Sequence, residues 1–306
     1  MDSGINMLCF SGSYVIALGL ELSGLWTQVR LRRPMLLVAG GAGLVAHTWY
    51  LGRRIAEMPA APLANQQDWY VLAAWALAII YYSLKFYYPR SATGMFLLPA
   101  VLGLIGASLL VSTAPLSNSQ GPRIWIQMHG IFLMLGTVVV LFGFLAGLMY
   151  LTQSYRLKHK LPTRSRFQLP SLEWLERVNS RSLGAATFLV GGGFFTGVLG
   201  RLAQEGDQNF VPWTDPVVVA LAAMLLWLVV AEAFRLVYPA ARQGRKVAYL
   251  TLAAFVFLIL VLAAVTLEDS LHVGPELSEI RDSIPRDPFP SLLGTAICQP
   301  ADGGPR

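Results

Sequence analysis

The sequence predicts an all-α fold, a polytopic membrane helix bundle of about eight transmembrane helices. Three observations lead there. Charged residues make up only 13% of the 306-residue chain and hydrophobic residues 55%, against about 25% charged in an ordinary soluble domain. The mean hydropathy is +0.55. About eight stretches approach the roughly 20 apolar residues that a bilayer-spanning helix needs. Such a composition is a poor fit to a soluble enzyme, a nucleic-acid-binding domain or a disordered chain. The net charge of +6 reads as orientation in the bilayer, with no nucleic acid implied.

The stretches run near 7–26, 34–52, 69–88, 94–113, 124–152, 183–204, 216–238 and 247–267. The first has Asp2 where a cleaved leader would have a basic start, and its basic cluster follows it. Polar or helix-breaking segments part the stretches: TQVRLRRP, RRIAEMPAAPLANQQD, YPRSAT, APLSNSQGPR, a long basic loop, QEGDQNFVPWTDP and ARQGRK. Gly143 and Gly147 in the fifth helix, and Gly193 and Gly197 in the sixth, are spaced for close helix packing. Glu232 and Arg235 are three apart on the seventh and can pair on one face; Glu21 is read similarly as a structural ion-pair residue. Residues 1–267 thus form the transmembrane domain, with a basic loop at 153–182. Residues 268–306 form a polar, Pro-rich external tail, expected to be partly flexible. The two cysteines, Cys9 and Cys298, make no metal-spaced pair and no CxxCH site. That excludes a disulfide framework, a zinc ribbon and a c-type cytochrome with its own covalent haem.

Lys and Arg set the orientation. If eight helices alternate, the loops after the first, third, fifth and seventh share a side and hold sixteen of the 23 Lys and Arg. That side is predicted to be cytoplasmic, which puts both termini outside. The segment SLEWLERVNSRS in the basic loop could lie as an amphipathic helix on the anionic inner leaflet, or dock a cytosolic partner.

Three of the four histidines fall toward the outer side. His47 sits about five residues before the outer end of the second helix, roughly 7 Å below the boundary. His129 lies at similar depth in the fifth helix, and His272 just beyond the eighth. His159 stands among basic residues of the cytoplasmic loop and reads as a surface residue. Ionisable groups inside membrane segments are costly and point to function, and imidazole is the usual axial ligand of haem iron. By their residues alone, haem ligation, ion transport and a purely structural role stay open. The outer loop GDQNFVPWTDP could lay Phe210 and Trp213 against a flat aromatic ligand. Its Asp215 could orient a donor or cap the seventh helix ahead of Pro216, and an interfacial Trp beside an Asp-Pro helix start is the plainer alternative.

From about 35 to 275 the chain resembles the cytochrome c assembly family of haem-handling membrane proteins, the CcsA and HemX-like group. The resemblance rests on HTWYLGRR and PLANQQDWYVLAAWALAIIYY. It rests most on MHGIFLMLGTVVVLFGFLAGLMYLTQSYRLKHKLP followed by LPSLEWLERVNSRSLGAATFLVGGGFFTGVLG. It implies that His129 and His272 are the external pair of haem-iron ligands. FVPWTDP, with Trp213 and Asp215, stands in the place of the Trp-rich segment over the haem, and His47 is the counterpart of a membrane-embedded histidine. The family's second embedded histidine has no match, since the seventh helix reads WLVVAEAFRLVY. Val217 and Val218 stand where haem-ligating members tend to have Lys-Glu. That pattern resembles the shorter, HemX-like branch.

The resemblance therefore implies a multi-pass protein of the cytoplasmic (inner) membrane. It would bind haem b, transiently or stably, and present it at the outer face for attachment to apocytochrome c, working with a CcsB-like membrane partner. Whether it is part of a haem lyase or a non-enzymatic assembly factor stays open. The alternative is a HemX-like regulator of tetrapyrrole synthesis without ligase activity. A transporter is disfavoured by the lack of an evident inverted repeat or broken helix pair.

Overall fold

The apolar stretches are helices in the computed structural model, which describes residues 2–24, 26, 31–57, 65–111, 123–160, 168–203, 212–238 and 244–267. The element order is α1 (Asp2–Ser23), α2 (Arg32–Glu57), α3 (Gln66–Tyr87), α4 (Gly94–Ser108), α5 (Arg123–Lys158), α6 (Leu172–Leu202), α7 (Pro216–Val237) and α8 (Gly244–Leu267). Among the described residues there is no named strand, only a single parallel bridge between Ser91 and Gln168. This is what a bilayer requires, because a helix satisfies its backbone polar groups within itself. Among the described residues, six helices, α2, α3 and α5 to α8, are long and apolar enough to cross a membrane. At about 1.5 Å per residue, the 15 residues of α4 fall short of a roughly 30 Å hydrocarbon core.

Two apolar cores share α5 as their common wall. Phe10, Tyr14, Leu77, Leu97, Leu98 and Val101 centre the first, between α1 and α4, and α5 closes it with Val138, Leu141 and Leu145. Leu183, Val190, Met224, Leu228 and Leu258 centre the second, where α5 contributes Val140. The glycines let α5 and α6 approach closely. A Cβ on Gly136 would come within 3.0 Å of Val190 Cγ2, and one on Gly143 within 3.0 Å of Ser182 Cβ. Gly147 faces Thr251 and Leu252 of α8 instead.

The two long helices intrude into the predicted 153–182 loop. α5 runs on to Lys158, and α6 begins at Leu172, so SLEWLERVNSRS forms the opening turns of α6. Ser171 caps them, accepting a hydrogen bond from the Trp174 N–H at 3.3 Å. Leu175 is fully buried in a small cluster with Ala146 and Met149 of α5, and Asn179 and Ser182 are buried along the same face. That face packs on α5 and does not lie on the bilayer. Gln168 ties the connection to the α3–α4 turn, its carbonyl accepting from the Ala92 N–H at 2.7 Å.

Buried charges are paired, as burial demands. Lys85 Nζ lies 2.5 Å from Glu21 Oε1 and donates to the Ser91 carbonyl at 2.7 Å. Arg54 donates to Asp68 Oδ1 from Nε and Nη2, at 3.1 and 2.9 Å, clamping α2 to α3. The expected Glu232–Arg235 pair is present, and Arg235 also donates to Ser180 of α6.

A candidate ligand cleft between α5, α6 and α7

An opening lies at the end of the bundle where α5 begins, α6 ends and α7 begins. It is a half-open cleft of about 210 Å³ whose wall includes Trp125, His129, Gly197, Arg201, Trp213 and Val217.

His129 is half-buried on the first turns of α5, and its ring is fixed from α6. Nδ1 lies 2.7 Å from the Gly193 carbonyl. A carbonyl can only accept, so Nδ1 carries the proton and donates it. Nε2 is then the nitrogen with the lone pair, the form in which a histidine ligates a metal while its other N–H is held by a backbone carbonyl. Thr196 Oγ1 donates to the same Gly193 carbonyl at 3.0 Å, which steadies the acceptor. Gly197 makes room for the ring. A Cβ there would stand 2.8 Å from His129 Nδ1 and 2.9 Å from Cε1, so one of the glycines expected to serve helix packing faces the imidazole instead.

The mouth of the cleft is built by the turn before α7. Asp215 is buried, and its Oδ1 accepts from the Val217 N–H at 2.9 Å, capping α7 with Pro216 in its first turn. The helix cap, one of its two expected roles, is present. The cap sets the preceding Trp213 at the cleft, about half exposed, with the Arg201 guanidinium carbon 4.0 Å from the centre of its ring. Val217 and Val218 continue the wall in hydrocarbon.

His47 lies elsewhere. It is fully buried in the first core, its ring stacked on Phe10 at 4.1 Å and 4°. Its Nδ1 is 3.3 Å from the Tyr14 hydroxyl, within hydrogen-bond reach. One ring face and one nitrogen are therefore engaged by α1, and the residue is absent from the cleft wall. His159 is exposed after α5, against Tyr155. His272, Phe210, Cys298 and the 268–306 tail lie outside the described residues. Among the described residues, no group of three or more His, Cys, Asp or Glu could hold a metal ion.

Three cleft residues had no assignment from the sequence. Trp125 and Arg201 flank helix ends in the ordinary way of interfacial Trp and Arg, and Thr196 carries no motif. The one available signal was the place of Trp125, four residues before His129; Arg201 and Thr196, 12 and 17 residues before Trp213, carried none.

The chain matches the family model described as Cytochrome C assembly protein over residues 63–272. No curated protein and no solved structure gave a match to it. The family match covers more than two thirds of the chain and takes in α5, α6 and α7, which together wall the cleft; the protein belongs to the cytochrome c assembly protein family.

Proposed function

We propose that this membrane protein binds haem b in the α5–α6–α7 cleft, where His129 would hold its iron, and presents it for attachment to apocytochrome c. Family membership supports a part in cytochrome c biogenesis; haem and the way it is handled are this proposal. The observation that carries it is the Gly193 carbonyl bonded to His129 Nδ1, which leaves Nε2 in the metal-ligating tautomer at the wall of an aromatic cleft. The donor set fits the group: one neutral imidazole suits a metallo-tetrapyrrole and falls short of holding a bare ion.

Haem would supply the vinyl groups that become thioethers with the apocytochrome cysteines. The chain's own part is positioning. Gly193 orients the imidazole, Gly197 admits it, the Asp215 cap holds the turn, and Trp213 and Trp125 offer flat apolar faces. A half-open cleft of this size takes the edge of a macrocycle and leaves the rest accessible, as transfer to a partner requires. In this reading His272 completes the iron coordination. The cleft faces the outer side of the cytoplasmic membrane, by the Lys and Arg asymmetry, and a CcsB-like protein delivers apocytochrome c.

A second reading, a HemX-like regulator of tetrapyrrole synthesis, draws on Val217 and Val218. They line the cleft where haem-ligating relatives tend to carry Lys-Glu. That reading acts by contact through the basic cytoplasmic loop and needs no haem at His129, so a haem spectrum separates the two. The detergent-purified chain should show a Soret band with split reduced bands. His129→Ala and His272→Ala should each lose most of it, and His159→Ala none. Equal spectra from all three variants would overturn the site.

A further inference from the structure

We propose that the first core carries a proton relay, a column of titratable side chains that passes single protons along α3 between two ion pairs. The column runs through α1, α2 and α3 and shares no residue with the α5–α6–α7 cleft, so it does not depend on the haem reading.

Both ends of the column are ion pairs. Asp68 pairs with Arg54 near the start of α3, and Lys85 pairs with Glu21 near its end. Asp68 and Lys85 are seventeen residues apart, about 25 Å along one helix, against a hydrocarbon core of roughly 30 Å. His47, Tyr14 and Tyr81 lie between them, none more than 1% exposed. Titratable groups are costly at such depth and point to function. Tyr50 and Tyr70 line the same core. Tyr82 flanks Tyr81, and Arg32 and Arg33 act on Lys85 from the start of α2. The residues that α4 and α5 bring to this core include no titratable side chain.

α2 sets the order of the column. Gly40, Gly43 and His47 fall on one of its faces, at i, i+3 and i+7. A Cβ on Gly40 would stand 3.9 Å from the Tyr81 hydroxyl, and one on Gly43 3.0 Å from Tyr14 Cε1. Tyr81 thus lies over Gly40 and Tyr14 over Gly43, and the Tyr14 hydroxyl reaches His47 Nδ1 at 3.3 Å. The step from Gly40 to Gly43 is about 4.5 Å, a span that one bridging water covers. The Tyr81 hydroxyl and His47 Nε2 are buried and make no hydrogen bond among the described residues, which suits each to such a bridge. Beyond Tyr81, Glu21 acts on the same hydroxyl as Tyr14 does. Beyond His47, the backbone of Val71 stands by the ring, one turn of α3 from Asp68.

In one transfer a proton leaves the Asp68 carboxyl, through water, for His47 Nε2 while the Nδ1 proton passes to the Tyr14 oxygen. The Tyr14 proton moves through the bridging water to Tyr81, and the Tyr81 proton to the Glu21 carboxylate. Each intermediate group gains one proton and loses one. No electron moves, and one proton has passed from Asp68 to Glu21. An ion pair must open at each end, and the hydroxyls and imidazole must reset, so the path carries single protons slowly.

The full-length chain, free of haem, would be reconstituted in phosphatidylcholine–phosphatidylglycerol vesicles loaded with pyranine. A potassium gradient with valinomycin would drive proton entry. The parent should acidify the vesicles faster than protein-free lipid does. Tyr14→Phe and Tyr81→Phe keep the ring that fills the core and remove only the hydroxyl, and thermal melting would establish that they are folded. Each should cut the protein-dependent rate about tenfold or more, the lower side of what a positioned proton-transfer group contributes. His47→Gln, whose amide hydrogen-bonds without shuttling a proton, should do the same. His159→Ala should leave the rate unchanged. A parent rate equal to that of protein-free vesicles would overturn the relay. So would a parent-like rate in folded Tyr14→Phe and Tyr81→Phe. An equal fall in His159→Ala would mark a general leak and would also overturn it. The cleft is read by haemin titration alone, so each reading can fail without the other.

Discussion

Gly197→Ala separates ligand geometry from helix stability. The added Cβ would stand 2.8 Å from His129 Nδ1, against the 3.4 Å at which ordinary contacts begin, so the ring must retreat by about 0.6 Å. The ring is held on that side by a 2.7 Å hydrogen bond to Gly193, which that retreat would weaken or break. Two stability terms then oppose each other. Alanine in place of glycine inside a helix stabilises by about 0.5–1 kcal/mol, and the hydrogen bond lost is worth about 0.5–1.5 kcal/mol. Thermal stability should therefore change little. Haem affinity should not be spared, because loss of the group that orients a ligating histidine costs roughly 10–100-fold. Gly191→Ala is the matched control. It lies on the same helix with the same propensity gain, and its Cβ would meet only Leu225 Cδ1, at 3.6 Å. Haemin titration and melting of both variants in detergent would decide. Parent-like affinity in Gly197→Ala, or equal losses in the two variants, would refute the claim that His129 must sit against α6 to bind iron.

Three further outcomes are expected. His47→Ala should destabilise the protein by about 2–4 kcal/mol, through the cavity beside Phe10 and the lost contact to Tyr14, with haemin affinity unchanged; loss of haem without loss of stability would move the iron site to the first core. Lys85→Met should cost about 3–5 kcal/mol by leaving Glu21 buried without its partner, and adding Glu21→Leu should recover most of it; melting of the two single variants and the double variant measures the coupling. In a chain with Cys9 and Cys298 replaced, Thr214→Cys should react with an impermeant maleimide added outside the cell and Lys158→Cys only after permeabilisation, and the reverse pattern would invert the proposed topology.

Much of the helical content was legible because it depends on nearby residues. Apolar runs of membrane length must be helical to satisfy their own backbone, and each predicted stretch has its helix. Asp215-Pro216 caps α7, and Glu232 and Arg235 pair at a spacing that one helix turn dictates. The opening turns of α6 were less plain. Glu173, Glu176, Arg177 and Arg181 make that stretch look like a surface segment, and only α5, laid against Leu175, Asn179 and Ser182, shows which face is buried.

The candidate site was legible in one coordinate only. Counting residues along a helix yields an expected depth, which is how His47 and His129 came to be expected at similar height. Depth does not yield neighbours. Which helix stands beside which, and how each is turned about its axis, is decided by side-chain packing between segments far apart in the chain. That packing puts His47 between Phe10 and Tyr14 in one core. It puts His129 against Gly193 and Gly197, beside Trp213 and Arg201 at the edge of the other. The tautomer of His129 and the approach of Arg201 to the Trp213 ring are likewise tertiary facts, because the groups that set them lie 64 and 12 residues away in the chain.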